Sequence, residues 1–285
     1  MGRLSAVMRL TRIEHSVMLV IAVVAAEIIC GGLPNAGTLA LSLITPIFIS
    51  MGAFAINDYF DREVDRVNKK MRPLVTGEIS PRAALYITFV SMAVGIAASV
   101  AINIYCTAIA VAFAVLALLY SYRLKEYPLV GNIYIGLSMA IPFAFGNYVV
   151  SVHANAAVMA VAVMILIAGT AREIDAAVRD YKGDLKIRNA RTLPIAIGTK
   201  AASAIAFAMY LAAISISIYL FMELDPFRHN LVYLPLIAVV DAMLVYSGII
   251  FLMGKEELYD RVRNMSLGGM ALALVTILIA SLVHI

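Results

Sequence analysis

Nine apolar runs follow one another along the chain, separated by short polar segments. A helix needs about 20 apolar residues to cross the hydrocarbon core of a bilayer. Backbone groups must be satisfied within the segment there, so runs of this length predict transmembrane helices. The predicted spans are residues 15–33, 38–60, 83–103, 105–122, 129–150, 154–177, 199–222, 231–253 and 266–284.

The composition agrees with a chain surrounded by lipid. Hydrophobic residues make up 63% of it and charged residues 14%, whereas a soluble domain carries about 25% charged residues. We therefore predict an all-α, multi-pass protein of the cell membrane. Pro46 and Pro142 fall inside two of the spans and are expected to kink them.

The positive charges fix the number of spans and their orientation. With nine spans, all Lys and Arg residues except Arg228 fall on the side of the N-terminus. Cytoplasmic segments carry such an excess, so the N-terminus and the large loops are predicted to be cytoplasmic. This asymmetry explains the basic pI of about 9.0, and nucleic-acid binding is not needed to explain it.

Two cytoplasmic segments share a pattern of two acids and an arginine, D-x3-D-x6-R. The first is "NDYFDREVDRVNKKMRPLVTG", residues 57–77, and the second is "RDYKGDLKIRNARTLPIAIG", residues 179–198. Internal repeats with a site between them occur in membrane proteins. We predict one domain, 1–285, with related four-helix halves at about 1–128 and 129–253 and a ninth helix at 266–284.

The carboxylates of both segments are spaced to share a helix face. Asp58, Asp61 and Asp65 lie at i, i+3 and i+7, and Asp180 and Asp184 at i and i+4. Oxygen ligands without His or Cys suit Mg²⁺, which completes its shell with water and substrate phosphates.

Cations follow the acids closely and suit anionic phosphates. Acidic and cationic residues at the end of an apolar helical bundle together indicate a substrate with a diphosphate headgroup and an apolar tail in the membrane. The cations are Lys69, Lys70, Arg72, Lys125, Arg188 and Arg191.

At these residues the sequence resembles the UbiA superfamily of intramembrane prenyltransferases, over essentially the whole chain. "NDYFDREVD" is similar to the family's first Asp-rich motif, and "DYKGD" to its second. "RPLVTG", "RTLPIAIG" and "LYSYRLKEYPLVGN" (119–132) resemble further family segments. The last of these implies a Tyr and a Lys near the diphosphate, here Tyr120 and Lys125.

The resemblance implies nine helices around a central cavity and transfer of a prenyl group from a diphosphate such as geranylgeranyl diphosphate. It implies two Mg²⁺ ions, with Mn²⁺ as a possible substitute, and a lipophilic acceptor; no obligatory protein partner is evident. The metal ligands would be Asp58, Asp61, Asp65, Asp180 and Asp184. The diphosphate would be held by Asn57, Lys69, Arg72, Tyr120, Lys125 and Arg191, and the catalytic residues would be Asp58, Asp61, Asp180 and Lys125.

The sequence does not identify the molecule that receives the prenyl group, nor the group that takes the proton from it. A glyceryl ether phosphate and an aromatic quinone precursor fit the motifs best, although Ala177 stands where archaeal ether-lipid enzymes usually carry an acid. The acceptor's proton could pass to the diphosphate, Asp58 or Glu14. A transporter with an acidic cytoplasmic mouth is the alternative, with Glu27 and Asp241 as the acids well inside spans.

Overall fold

The computed structural model describes residues 3–67, 69–187 and 192–283, and its regular structure there is helical. Eight of these helices are long and apolar enough to cross a membrane. The helices are α1 (Arg3–Thr11), α2 (Ser16–Ile29), α3 (Ala36–Val67), α4 (Pro73–Thr76), α5 (Pro81–Val100), α6 (Ile104–Tyr122), α7 (Val130–Val150), α8 (Ala156–Ile187), α9 (Leu193–Ile197), α10 (Thr199–Glu223), α11 (Tyr233–Leu252) and α12 (Tyr259–Leu282).

The helix in the first predicted span is the shortest of the nine helices that the described chain places in the predicted spans. It is α2, which has 14 residues and ends before Gly31 and Gly32, both with positive φ. Glycine adopts such φ values without steric cost, which explains why the apolar run continues to residue 33 while the helix does not. Each of the nine apolar runs contains one helix of the described chain, so the predicted fold class is confirmed.

Short polar residues set the first turns of several membrane helices. The side chain of Asn103 accepts a hydrogen bond from the backbone N–H of Cys106 at 2.9 Å at the start of α6. Asn155 does the same for the first turn of α8, and Ser80 for α5, where Pro81 occupies the first helical position. Such caps satisfy backbone donors that the helix itself leaves unpaired.

The long helices pack side by side in a closed ring. The helices follow one another around this ring in chain order: α3, α5, α6, α7, α8, α10, α11 and α12. The ring closes because α12 packs on α2, and α2 packs on both α3 and α7. This arrangement leaves space along the axis of the bundle.

Glycines allow α7 to approach its neighbours closely. A Cβ on Gly136 would lie 2.5 Å from the carbonyl oxygen of Leu166 in α8, and one on Gly146 would lie 2.6 Å from that of Val23 in α2. Both distances are shorter than a methyl group permits. Small residues at helix contacts are typical of membrane bundles.

The two Asp-rich segments occupy equivalent places in two matching helices. Both α3 and α8 have 32 residues, and each continues past the end of its predicted span, to Val67 and Ile187. Each is followed by a short helix with Pro in its first turn, α4 and α9. The chain between the long helices therefore contains helical structure on the predicted cytoplasmic side, at Pro73–Thr76 and Leu193–Ile197.

Candidate active site

A cavity of 670 Å³ lies in the centre of the helical ring. Ligand pockets generally span about 300–1,000 Å³. Its wall is mostly apolar and includes Pro46 and Pro142, the two prolines that lie inside α3 and α7. Charged and amide side chains gather among the lining residues: Arg12, Asn57, Arg72, Arg172, Glu173 and Asp241.

The first Asp-rich segment is held by cations. Asp58 is 2% exposed and contacts Arg12 Nη2 through Oδ1 at 3.0 Å, and the same oxygen accepts a hydrogen bond from Arg72. Asp65 is equally buried, with Arg72 Nε at 3.1 Å and Lys70 Nζ at 3.2 Å. A buried carboxylate needs such partners because desolvation of a charge is costly. Arg72 thus joins two acids that lie about two turns apart on α3.

Asp61 faces a different set of partners from Asp58. Lys125, in the 3₁₀ turn Leu124–Glu126 after α6, donates from Nζ to Asp61 Oδ1 at 2.5 Å. Asn57, one turn earlier on α3, donates to Asp61 Oδ2 at 3.2 Å. The structure therefore brings together three of the predicted site residues from two separate segments. Lys69 is exposed and lies two residues after the last residue of α3, with φ 53°.

The second Asp-rich segment is more open. Asp180 is 53% exposed and is paired with Arg179 of the same helix at 2.8 Å. Arg179 also lies 3.9 Å from Asp260 of α12. Asp184 belongs to α8 but its side chain lies outside the described part, and Arg191 lies outside the described residues altogether.

The cavity wall and the Asp-rich segments are adjacent but not identical. Asn57, Arg72 and Tyr120 line the cavity, whereas Asp58, Asp61, Asp65, Asp180 and Lys125 do not. Tyr120 stacks on Tyr134, with ring centroids 4.0 Å apart, and Tyr134 stacks on Phe113 at 5.7 Å. Tyr120 therefore contributes to an aromatic part of the cavity wall.

Three charged lining residues were missed by the sequence reasoning: Arg12, Arg172 and Glu173. Arg12 lies between α1 and α2, in the left-handed region, and its guanidinium also lies 4.8 Å from the centre of the Phe54 ring. Arg172 and Glu173 form an ion pair within α8. The sequence signal was present for Arg172 and Glu173, since they lie inside the predicted span 154–177 and an ionisable residue inside an apolar run indicates a functional site. Arg172 was instead counted among the cytoplasmic cations.

The carboxylate oxygens of the Asp-rich segments are of the type that binds Mg²⁺. Asp65 Oδ2 is buried and accepts no hydrogen bond in the described structure, although Arg72 is near. Among the described residues, no group of three acids, histidines or cysteines converges as a preformed metal cage. Mg²⁺ commonly binds through one or two carboxylates and takes its other ligands from water and phosphate. The carboxylates present are compatible with that mode of binding.

These features define a class of protein. A ring of membrane helices encloses an apolar cavity, and acids with paired cations lie beside that cavity on two equivalent helices. This is the arrangement of an intramembrane enzyme whose substrate has a charged head and an apolar tail.

The chain belongs to the UbiA prenyltransferase family, which it matches over residues 18–280. It is accordingly an integral-membrane prenyltransferase, as its motifs predicted. The alternative of a transporter is not supported. The family match decides this. Of the two acids that suggested a transporter, Glu27 is fully buried, and Asp241 lines the cavity, where it accepts a hydrogen bond from Ser217 at 2.7 Å.

Curated and solved relatives extend over nearly the whole chain. The chain is 36% identical over 275 residues to digeranylgeranylglyceryl phosphate synthase of Archaeoglobus fulgidus, covering 95% of this chain and 94% of the relative. A solved structure from work on digeranylgeranylglyceryl phosphate synthase in membranes superimposes with a TM-score of 0.83, at 26% identity and 99% coverage of both chains. A UbiA homologue from Archaeoglobus fulgidus bound to GPP and Mg²⁺ shares the fold, with a TM-score of 0.67, 22% identity, and 95% and 99% coverage.

Proposed function

We propose that this chain transfers a geranylgeranyl group from its diphosphate to the free hydroxyl of a glyceryl ether phosphate. The observation that carries this proposal is the 36% identity to a digeranylgeranylglyceryl phosphate synthase over almost the full length of both proteins. The relatives give no support to an aromatic quinone precursor as acceptor. Ala177, which departs from the usual ether-lipid pattern, is outweighed by that full-length similarity.

Magnesium is the proposed cofactor. The solved UbiA homologue with GPP and Mg²⁺ supports it for the fold. In this chain we propose two ions, one at Asp58, Asp61 and Asp65, the other at Asp180 and Asp184, with Mn²⁺ as a substitute. Bound there, the metal would neutralise the diphosphate and improve it as a leaving group.

The cations beside the first Asp-rich segment would bind and orient the diphosphate. Arg72 contacts the acids and also lines the cavity, so its guanidinium can turn to phosphate oxygens in the planar, paired mode that arginine favours. Lys69, Lys125 and Arg191 would add charge, and Asn57 a neutral donor. Cationic groups aimed at the departing diphosphate stabilise the charge that develops on it.

The cavity wall would protect the reacting carbon. When the allylic C–O bond breaks, its electron pair leaves with the diphosphate and a carbocation remains. Apolar walls exclude water, and the stacked rings of Tyr120, Tyr134 and Phe113 form part of that wall. The acceptor's hydroxyl oxygen then forms the new C–O bond and releases its proton.

Two further proposals concern topology. The N-terminus and the active-site segments lie on the cytoplasmic side, because that side carries the Lys and Arg excess. The chain is one domain with related halves, a view supported by the matching lengths of α3 and α8 and the short helices α4 and α9 that follow them.

A direct assay tests the function. The purified protein in detergent is incubated with geranylgeranyl diphosphate, Mg²⁺ and either geranylgeranylglyceryl phosphate or an aromatic quinone precursor, and products are read by mass spectrometry. We expect the doubly alkylated glyceryl phosphate. Product from the aromatic acceptor alone would overturn the assignment of the acceptor, and the EDTA-treated enzyme is the control for the metal.

A further inference from the structure

We propose that Arg172 and Glu173 form the acceptor subsite: Arg172 binds the acceptor's phosphate, and Glu173 receives the proton from its hydroxyl. This inference rests on the proposed function, since it concerns an acceptor that carries both a phosphate and a hydroxyl. The acceptor's phosphate would then bind apart from the donor's diphosphate, which the cations of the first Asp-rich segment would hold.

The pair lies inside the cavity, on the second of the two long helices. Both side chains line the space that Asn57 and Arg72 line from the first half of the chain. Glu173 precedes Asp180 by seven residues, so both share one face of α8. At 1.5 Å per residue, Glu173 lies about 10 Å deeper along the helix axis. The reacting carbon is also deeper than the diphosphate to which it is attached.

Arg172 has binding capacity that the protein itself does not use. Its side chain is 13% exposed and pairs with Glu173 through Nη2, while its Nε is buried and has no hydrogen-bond partner in the described structure. A buried donor without a partner is costly and calls for an explanation. A phosphate monoester can take bonds from Nε and a terminal nitrogen together, which is the planar mode that suits arginine.

Glu173 is the best-placed acid to accept a proton. Among the described residues it is one of two acids that line the cavity, and the other, Asp241, accepts a hydrogen bond from Ser217. Asp58 is outside the lining and is held by two arginines. Glu14 is 68% exposed and lies beside His15. Once phosphate takes the place of Glu173 on the guanidinium, that carboxylate is released next to the bound acceptor.

The proposed step needs no reactant beyond the donor and the acceptor. The allylic C–O bond of the donor breaks and its electrons leave with the diphosphate. The acceptor's hydroxyl oxygen bonds to the allylic carbon, and the hydroxyl proton passes to Glu173. In glyceryl phosphates the free hydroxyl is close to the phosphate along the glycerol backbone, so neighbouring side chains can serve both groups.

The role of Arg172 is tested by measuring the KM for the acceptor and the KM for the donor separately. For Arg172→Gln we expect the KM for the phosphorylated acceptor to rise at least about tenfold, because a hydrogen bond to a charged group is lost. The KM for the donor should change less than about twofold. Arg82→Gln is the matched control, because Arg82 is an exposed arginine at the start of α5 and does not line the cavity. It should leave both constants unchanged.

A second measurement does not depend on turnover. Acceptor binding without donor is measured by calorimetry, using geranylgeranylglyceryl phosphate and, for comparison, geranylgeranylglycerol. The wild type should prefer the phosphorylated lipid, and Arg172→Gln should lose that preference while remaining folded by size-exclusion chromatography. Arg172→Lys, which keeps the charge without the planar fork, should recover part of it.

Glu173→Gln tests the proton acceptor. We expect kcat to fall about 100-fold or more, as for loss of a general base, with both KM values changed only slightly. Glu173→Asp should restore part of the rate. An unchanged kcat for Glu173→Gln would overturn its role.

The outcomes separate this inference from the proposed function. If the wild type forms no product from the glyceryl phosphate acceptor, the proposed function fails. If the wild type is active but Arg172→Gln raises the donor KM instead, Arg172 belongs to the diphosphate site and the acceptor subsite is wrong.

Discussion

Replacing Arg72 by glutamine should destabilise the protein, because two buried carboxylates lose a shared cation. Asp58 and Asp65 are each 2% exposed, and Arg72 contacts both. Removing one partner of a buried pair costs about 3–5 kcal/mol. Arg12 remains beside Asp58 and Lys70 beside Asp65, so we expect a smaller loss, about 2–3 kcal/mol in the free energy of unfolding.

Unfolding titrations in mixed detergent micelles measure this loss. Arg62→Gln is the control, since Arg62 pairs with an exposed Glu63 and such pairs contribute about 0–1 kcal/mol. Adding Asp58→Asn to Arg72→Gln should recover part of the stability, because one of the two buried carboxylate charges that Arg72 balanced is then removed. If Arg72→Gln unfolds like the wild type, or if the double variant is less stable than the sum of the single variants, the buried acids do not depend on Arg72.

Further outcomes follow from the site and the packing. Asp61→Ala or Asp180→Ala should abolish prenyl transfer while the protein stays folded, measured by product formation and size-exclusion chromatography; normal turnover would contradict the metal assignment. Donor binding should require Mg²⁺ or Mn²⁺ and tighten the metal by the same factor, since linkage is reciprocal. Calorimetry with a thiodiphosphate donor, with and without EDTA, tests this, and equal donor affinity in both would refute it. Gly136→Leu should lower the thermal stability because α7 and α8 are in close contact, whereas Gly183→Ala, with open space around it, should not.

The sequence predicted most of the bundle because the solvent imposes a simple rule. Apolar length indicates which segments lie in hydrocarbon, and each predicted span contains a helix. It does not indicate where a helix ends in water. The first span therefore stops earlier than predicted, at Ile29, and α3 continues to Val67 as a polar helix carrying its acids along one face.

Residue types predicted the chemistry of the site better than its contacts. The pairing of Lys125 with Asp61 joins two predicted residues, yet nothing in the sequence indicated that Arg12 would contact Asp58 at 3.0 Å. That contact depends on the left-handed backbone at Arg12, which turns the chain between α1 and α2. Whether a charge such as Arg172 faces a cavity is likewise decided by helix rotation, which charge counts do not contain.

The ion pairs around Asp58, Asp61 and Asp65 also bear on how the protein is made. In the structure these acids already have the partners Arg12, Arg72, Lys70 and Lys125. Charge at the first Asp-rich segment is therefore balanced within the chain itself. We expect insertion into the membrane and assembly of the helices to proceed without divalent ions, with metal loading as a later event that accompanies the arrival of the diphosphate.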